Sequence, residues 1–285
     1  MGLLLALLIG FITLATMYHF FVKTWWFPPF ISEYGAAYDD HFMLTLVIVG
    51  VIFFLAQIGL AYVIFRYRDR GGRASSTHGN NTLEAIWTTA TAVLFLGLVL
   101  FGQHIWERVH LDEAPAGALQ IEVTGQQFVW NFRYPGPDGK FGSVKPELMK
   151  ESLGNPLGVD PDDPNGKDDL VMPVMAVPVN RPVEVLLRSK DVIHSFFVRE
   201  LRIKQDTVPG METRLHFTAS KIGRYEIPCT ELCGLGHFQM RSFLDVMSDE
   251  DFANWLRDNA TPVEEETAAE TPAEAGQGNT TQPGQ

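Results

Sequence analysis

A segment near residue 230 concentrates side chains that bind soft metals. The twelve residues CTELCGLGHFQM, from Cys229 to Met240, contain two thiols, one imidazole and one thioether. Cys and His alone would suit zinc, but the thioether of Met240 is a poor zinc ligand and a natural soft partner for copper. The side-chain types and their spacing therefore favour a copper site.

Plainer interpretations of the same cysteines are open. Cys229 and Cys233 are the only cysteines in the chain, and in an oxidising compartment they could form a disulfide, which is the strongest rival. A structural zinc, or a strand end with chance sulfur, would also account for them. A disulfide-rich scaffold and a c-type haem are excluded, because the first needs more cysteines and the second needs Cys-x-x-Cys-His.

The segment does not match a mononuclear blue-copper site, which uses two His, one Cys and a weak axial Met. It has one imidazole too few, and His194, three residues after Asp191, is the best candidate for the missing one. Two Cys, two His and one Met could serve two copper ions if both thiolates bridge them. Such a pair suits one-electron relay rather than oxygen activation. Glu231 lies between the thiolates, where its backbone carbonyl could face a metal while its carboxylate points elsewhere.

An apolar half of the chain precedes this segment. Residues 42–65 and 85–106 run 24 and 22 positions without a charged side chain. A bilayer core needs about 20 residues of helix, so both predict membrane spans, which form a helical hairpin over 41–107. The loop between them carries four arginines, which places it on the cytoplasmic side and everything after about residue 107 outside. These arginines are Arg66, Arg68, Arg70 and Arg73.

Two features of the apolar half have open interpretations. Residues 1–22 form a third apolar segment without a positively charged start or a small-x-small cleavage site, which predicts an additional uncleaved helix or an atypical signal. Glu84 stands at the start of the second long span. A carboxylate at a helix N-terminus is common and costs little, so the residues alone leave a proton-pathway role as the minor interpretation.

The second half predicts a β-rich domain over 111–258. Short alternating runs broken by Gly and Pro are typical of a β-sandwich or barrel. These runs are Leu119–Val123, Phe128–Arg133, Pro182–Arg188, Ser195–Val198, Thr213–Thr218, Gly223–Ile227 and Arg241–Val246. Residues 135–169 are too rich in Gly, Pro and Asp for a core strand and predict a surface insertion. Ser248 and Asp251 predict a helix cap.

Charge divides the chain in the same way as hydropathy. The formal net charge is -12, and all of it lies after residue 110. Nucleic-acid binding is excluded, because neutralising phosphates needs a surplus of Lys and Arg. Residues 259–285 contain one Val and no larger apolar side chain, which predicts a disordered acidic tail.

Together these motifs resemble subunit II of the haem-copper cytochrome c oxidases. The resemblance covers residues 40–258 and rests on the two spans with a basic inner loop, on Asp-Val-Ile-His-Ser at 191–195, on Asp-x-Val-Pro-Gly at 206–210, and on Cys-x-Glu-x-Cys-Gly-x-x-His-x-x-Met at 229–240. It implies a membrane-anchored all-β fold, in which a transmembrane hairpin precedes a cupredoxin-like β-barrel. It also implies a dinuclear copper A centre that takes electrons from cytochrome c.

The resemblance implies roles for particular residues. The copper ligands would be His194, Cys229, Cys233, His237, Met240 and the carbonyl of Glu231. The Glu231 side chain would bind a magnesium ion shared with subunit I. Glu84, in Glu-x-Ile-Trp, would be the entrance of a proton pathway. Electrons would arrive through Phe128 and Trp130, since this chain has Phe128 where the family has the first Trp of Gly-x-Gln-Trp-x-Trp.

The resemblance also implies an enzyme complex. Subunit II would be inactive alone and would pass electrons to haem in subunit I, where oxygen is reduced to water with proton pumping. Its partners would be subunit I, other oxidase subunits, cytochrome c or an equivalent donor, and the lipid bilayer. The complex would lie in a bacterial inner membrane, with a multi-pass anchor and the copper domain on the periplasmic face. The acidic outer half fits a basic donor, although plain solubility accounts for that charge equally well.

Other functions use parts of the same pattern. A membrane-anchored copper carrier or assembly factor is the alternative from another class, but the added His237 and Met240 favour a saturated, retained site. Nitrous oxide reductase would need many more than the eight histidines of this chain. Quinol oxidases share the fold and lack the copper ligands, all of which are present here.

Overall fold

Three long helices precede a β-rich domain in the computed structural model. The structure describes residues 2–22, 28–73 and 79–260. The helices are α1 (Gly2–Val22), α2 (Gly35–Arg66) and α3 (Asn81–His110). Each is long and apolar enough to cross a membrane, which fits the predicted membrane anchor. The predicted tail lies outside the described residues from position 261 onward.

Local sequence sets the ends and contacts of these helices. Asn80 caps α3, because its side-chain oxygen accepts hydrogen bonds from the amides of Thr82 and Leu83 at 3.0 and 3.1 Å. α1 packs along α2 and buries Ala6 and Thr13. The Thr13 hydroxyl donates to the Ile9 carbonyl at 2.8 Å, so a polar side chain within the apolar helix is satisfied locally. α2 and α3 both extend several residues beyond the charge-free runs.

Ten strands and one helix follow. They are β1 (Leu119–Gln126), β2 (Val129–Tyr134), β3 (Leu170–Met172), β4 (Met175–Pro178), β5 (Pro182–Ser189), β6 (His194–Val198), β7 (Ile203–Thr207), β8 (Thr213–Thr218), β9 (Gly223–Pro228), β10 (Arg241–Met247) and α4 (Asp249–Asn259). The predicted cap is confirmed, since the Ser248 side chain accepts a hydrogen bond from the Asp251 amide at 3.1 Å. Phe252 then anchors α4 in the core.

The strands form three sheets around one core. The sheets have the orders β3-β2-β1-β5-β8, β4-β10-β9 and β6-β7. Alternate side chains such as Val123, Phe132, Val185, Phe217 and Leu244 are fully buried between them. The arrangement is cupredoxin-like. Within residues 119–247 no sheet closes on itself, so the predicted barrel is not closed. Each of the two larger sheets has two edge strands, and β6 and β7 pair with each other and in this range meet the rest only through isolated bridges such as that of Phe196 with Cys229.

The 135–169 insertion is fixed to the domain by a buried arginine. Arg133, 1% exposed, donates a hydrogen bond to the Gly142 carbonyl at 2.5 Å and forms an ion pair with Asp169. A second carboxylate, that of Glu122, lies 3.6 Å from the Arg133 guanidinium. A buried charge needs such partners, because an unpaired ion inside a protein loses its hydration without compensation. The insertion therefore starts and ends on one charged cluster.

A short segment before α2 joins the membrane helices to the β-rich domain. The Ile31 amide donates to the Glu200 carbonyl at 2.8 Å, and the Ser220 amide donates to the Ile31 carbonyl at 2.7 Å. The Ile31 side chain is 2% exposed and belongs to the core. Arg202 adds an ion pair to Asp39 at 2.7 Å. A domain that begins at residue 111 would lack this packing.

Replacing Arg133 tests the charged cluster. We expect Arg133→Met to destabilise the outer domain by about 3–5 kcal/mol, because Asp169 then keeps a buried charge without a cation and Glu122 keeps only the Arg188 guanidinium, at 3.3 Å. Chemical unfolding of the full chain in detergent, followed by Trp fluorescence, measures this. The control is Arg241→Met, which breaks an exposed pair with Glu226 at 3.3 Å and should cost less than about 1 kcal/mol. Equal losses in the two variants would contradict the assignment.

Candidate metal centre

Two adjacent strands hold the ends of the Cys229–Met240 loop together. β9 ends at Pro228, which pairs with Arg241 at the start of β10. The Cys229 amide then donates to the Met240 carbonyl at 2.9 Å, so the ladder continues by one residue. His194 opens β6, which a bridge between Phe196 and Cys229 brings alongside. The sheet pairing therefore places an imidazole from one strand against the sulfurs of another.

Five predicted ligands converge in this structure. The Cys229 and Cys233 sulfurs lie 3.9 Å apart, and the Cys233 sulfur lies 3.7 Å from Met240 Sδ and 3.6 Å from His237 Nδ1. His194 Nδ1 lies 3.1 Å from Met240 Sδ and 4.0 Å from Cys229 Sγ. Both cysteines are free thiols. One ligand atom each from His194, Cys229 and Cys233 lie within 4.8 Å of one another, which makes a candidate metal site.

Burial separates four of the five ligands from solvent, whereas His237 is partly exposed. His194 is 0% exposed, Met240 2%, Cys233 3% and Cys229 6%. The cluster accepts soft, borderline metals, because it offers sulfur and imidazole nitrogen and keeps water away. The Glu231 carbonyl accepts a hydrogen bond from the Cys229 thiol at 3.2 Å, although the residue itself is exposed. The carbonyl of Glu231 therefore faces the cluster.

Asp191 and Gln127 support the cluster, a role that no motif in the sequence predicts for either residue. Asp191 Oδ1 accepts a hydrogen bond from His194 Nε2 at 2.8 Å, which leaves Nδ1 to face the sulfurs. Its other oxygen accepts from the Gln127 amide at 2.7 Å, and the Gln127 side chain donates to the Cys233 carbonyl at 2.5 Å. The available signal was position alone: Asp191 lies three residues before a ligand and Gln127 directly before Phe128.

Phe128 and Trp130 both lie beside the cluster. A Cβ at Gly236 would stand 2.4 Å from the Phe128 ring, and one at Gly234 would stand 3.1 Å from it. Glycine at both positions lets the Phe128 ring lie directly on the ligand loop. The Trp130 ring packs edge-on against His194, with 6.0 Å between ring centroids, and is 2% exposed. Phe128 therefore lies toward the surface and Trp130 in the core.

Comparison with known proteins gives the family. The alternative cytochrome c oxidase subunit 2 of Bradyrhizobium diazoefficiens is 35% identical over 250 residues, which cover 87% of this chain and 88% of the relative. The chain belongs to the cytochrome c oxidase subunit II family. The sequence model described as "Cytochrome C oxidase subunit II, periplasmic domain" matches residues 119–247. Subunit 2 of Cereibacter sphaeroides is 30% identical, covering 74% of this chain and 72% of the relative.

A solved structure is also similar to part of this subunit II. The crystal structure of the periplasmic domain of subunit II of cytochrome oxidase of Bradyrhizobium japonicum covers 52% of this chain and 96% of its own, with 30% identity and a TM-score of 0.38. The candidate site of His194, Cys229 and Cys233 fits the copper A centre that the family resemblance implies.

Glu84 lies far from the metal centre of this subunit II. It occupies the first turn of α3, whereas the outer domain follows the last turn at His110. The 26 residues between them span about 40 Å of helix at 1.5 Å per residue. The structure therefore places Glu84 at the opposite end of the membrane helix from the cluster.

The two thiols of the metal-free centre ionise differently. Burial by itself raises the pKa of Cys229, but hydrogen bonds from His194, from backbone groups and from His237 outweigh it and lower the pKa to about 6. Burial and the neighbouring Cys229 charge raise the pKa of Cys233 to about 11. Burial lowers the pKa of His194, yet Cys229 and Asp191 more than offset it and the pKa is raised. At neutral pH the pair therefore holds one thiolate.

Thiolate titration of the metal-free chain tests this asymmetry. We expect one thiolate to form with a midpoint near pH 6, and the second only near pH 11. A thiol with a lowered pKa is ionised above that pKa, so most of the first thiolate has formed by neutral pH. Thiolate ultraviolet absorbance against pH measures both steps, and Cys229→Ser should remove the lower one. Two thiolates appearing together near pH 9 would refute the asymmetry.

Proposed function

We propose that this chain is the electron-input subunit of a respiratory terminal oxidase. The observation that carries the proposal is the convergence of two thiols, two imidazoles and a thioether in one cluster, of which only His237 is partly exposed. In this function the chain accepts electrons one at a time from cytochrome c and passes them to haem in subunit I. Oxygen is reduced to water there, coupled to proton pumping, so the chain is part of an enzyme and is inactive alone.

The proposed ligands of a dinuclear copper A centre are His194, Cys229, Cys233, His237, Met240 and the carbonyl of Glu231. Two copper ions held there would supply one-electron storage and transfer. The donor set supports copper, because sulfur and imidazole are soft or borderline ligands and the cluster offers one thioether. Asp191 orients the His194 ring, and Gln127 holds the Cys233 carbonyl. Because these hydrogen bonds restrict movement of the ligands, the ligands would rearrange little when an electron arrives or leaves, which favours fast transfer.

The surface around the centre supports brief docking of a donor. Three apolar side chains of the ligand loop are more than three-quarters exposed. They are Leu232, Leu235 and Phe238. We propose that electrons enter through Phe128, which lies on the loop, and reach the ligands beside it; Trp130, packed on His194, is the inner aromatic group. An acidic outer half favours a basic donor by raising the encounter rate.

Further roles belong to the same proposal. The exposed Glu231 side chain would bind magnesium shared with subunit I, while its carbonyl serves copper. Glu84, near the inner end of α3, would be the entrance of a proton pathway. The chain would cross a bacterial inner membrane more than once, with the arginine loop inside and the copper domain on the periplasmic face.

The proposed organisation follows the boundaries drawn from the sequence, with Ile31 added to the core of the copper domain. Residues 1–22 form an additional helix, 41–107 a transmembrane hairpin, 111–258 a cupredoxin-like copper domain with the 135–169 insertion, and 259–285 an acidic tail. Contacts between α1 and α2 support retention of the first helix. The alternative, a copper carrier, is not favoured, because the relatives are oxidase subunits and the cluster is buried.

Copper stoichiometry and electron paramagnetic resonance test the proposed centre. We expect the full chain in detergent to bind two copper ions, with hyperfine splitting shared across both nuclei, because the two sulfurs lie 3.9 Å apart in one cluster and both would be ligands. Cys233→Ser is the control that should abolish the shared splitting. One copper with ordinary splitting, or none, would overturn the proposal and revive the carrier.

Met240→Leu tests the thioether separately. We expect copper to remain, its reduction potential to change and oxidase turnover to fall roughly 10-fold, because the weak ligand tunes the potential rather than holding the metal. Redox titration and turnover of the assembled oxidase measure this. Met175→Leu, in the core at 0% exposure, is the matched control and should leave both unchanged. Unaltered potential and turnover in Met240→Leu would argue against Met240 as a ligand.

A further inference from the structure

The tip of the 135–169 insertion contacts Gln126 and Lys190, which lie next in sequence to residues that bond the candidate ligands. Residues 150–155 form a closed turn, in which the Lys150 amide donates to the Asn155 carbonyl at 2.9 Å and the Asn155 amide donates back at 3.1 Å. Glu151 lies in this turn and Pro156 directly follows it. The charged cluster at Arg133 fixes the base of the insertion. The insertion is therefore attached to the domain both at its base and at its tip.

A chain of hydrogen bonds joins this tip to the domain. Glu151 Oε1 accepts from Gln126 Nε2 at 2.6 Å, and Gln126 Oε1 accepts from Lys190 Nζ at 2.9 Å. Lys190 Nζ also donates to the Pro156 carbonyl at 3.1 Å and lies 3.6 Å from Glu151 Oε1. The Glu151 side chain is 65% exposed, but Gln126 is only 6% exposed, so loss of Glu151 would remove the carboxylate acceptor of a largely buried amide.

Gln126 and Lys190, the two residues that the tip contacts, each precede a residue that hydrogen-bonds a proposed copper ligand. Gln126 precedes Gln127, which bonds the Cys233 carbonyl, and Lys190 precedes Asp191, which bonds His194. We call residues 125–128 and 189–192 the rim segments. The Lys190 amide donates to the Gly125 carbonyl at 3.0 Å, and Gln127 donates to Asp191, so the two rim segments are tied to each other.

We propose that Glu151 is a positioning residue, through which the insertion clamps the two rim segments and fixes the hydrogen bonds on His194 and Cys233. The inference deepens the proposed function and rests on it. Glu151 touches no ligand, and it acts through Gln126 and Lys190. Its role is to limit movement of Asp191 and Gln127. The two rim segments contain the last residues of β1 and β5, and strand ends open more readily than strand centres.

Hydrogen exchange on the metal-free full chain in detergent measures the clamp directly. We expect Glu151→Ala to speed amide exchange of residues 125–128 and 189–194 roughly 3- to 10-fold, since one network of bonds is lost. Glu151→Gln keeps an oxygen acceptor for Gln126 and should restore most of the protection. Glu147→Ala removes the same charge from an exposed position in the same insertion and should change nothing. Unchanged exchange of the rim segments in Glu151→Ala would overturn the clamp.

Copper spectroscopy shows whether the clamp reaches the ligands. In the copper-loaded chain we expect Glu151→Ala to keep two copper ions but to alter the hyperfine splitting and the reduction potential, with Glu151→Gln close to the unaltered chain. Lys190→Met should reproduce the change from the other side of the network. A spectrum and potential identical to those of the unaltered chain in both Glu151→Ala and Lys190→Met would overturn the positioning role.

The two measurements separate this inference from the proposed function. If the unaltered chain fails to bind a copper pair, the proposed function fails, while hydrogen exchange still decides whether Glu151 holds the rim segments. If the unaltered chain binds the pair and Glu151→Ala matches it in exchange and spectrum, the clamp fails and the proposed function stands.

Discussion

Two cysteine sulfurs 3.9 Å apart inside a protein cannot easily ionise together, because their negative charges repel where water does not screen them. The chain meets this constraint by lowering the pKa of Cys229 with hydrogen bonds and raising that of Cys233. A bound metal removes the conflict, since cations neutralise both thiolates. The cluster is therefore electrostatically more stable with a metal bound than without one, and the close spacing of the two sulfurs suits metal binding.

The surrounding structure holds the sulfurs through backbone pairing rather than through the loop alone. The β9–β10 ladder joins Pro228 to Arg241, and the loop between them returns to the same place after twelve residues. β6 contributes His194 from a separate ribbon that meets β9 through the bridge of Phe196 with Cys229. Ribbon and ladder must keep their relative positions, and the rim segments provide this through Asp191. The β9–β10 ladder, the β6–β7 ribbon and the rim segments therefore meet at the end of the domain that holds the ligand cluster.

The membrane helices and the outer domain meet at a packed junction, not at a flexible linker. Ile31 enters the core, and the Tyr34 hydroxyl lies 2.8 Å from His216 Nε2 of β8. Arg202 pairs with Asp39 at the start of α2. Such contacts fix the position of the outer domain, with its candidate metal centre, relative to the start of α2. An electron relay needs this, because its rate depends on a fixed separation between donor and acceptor.

Short-range patterns explain how much of the chain could be predicted. The ligand loop lies within twelve residues, so its side-chain types alone pointed to copper. The two long spans needed only length and the absence of charge, and seven strands matched predicted alternating runs to within three residues at each end. The Ser248 cap was also predicted, since its partner Asp251 is three positions away.

Contacts between distant residues were decided only by the tertiary structure. The short strands β3, β4 and β7 were missed, because three to five residues carry too little periodicity to stand out. Three such contacts join positions from 25 to 189 residues apart. They are the bond of Gln126 to Glu151, the bond of Gln127 to Asp191, and the bond of Ser220 to Ile31. No local pattern encodes such pairs, because each partner gains its role only when folding has brought the other beside it.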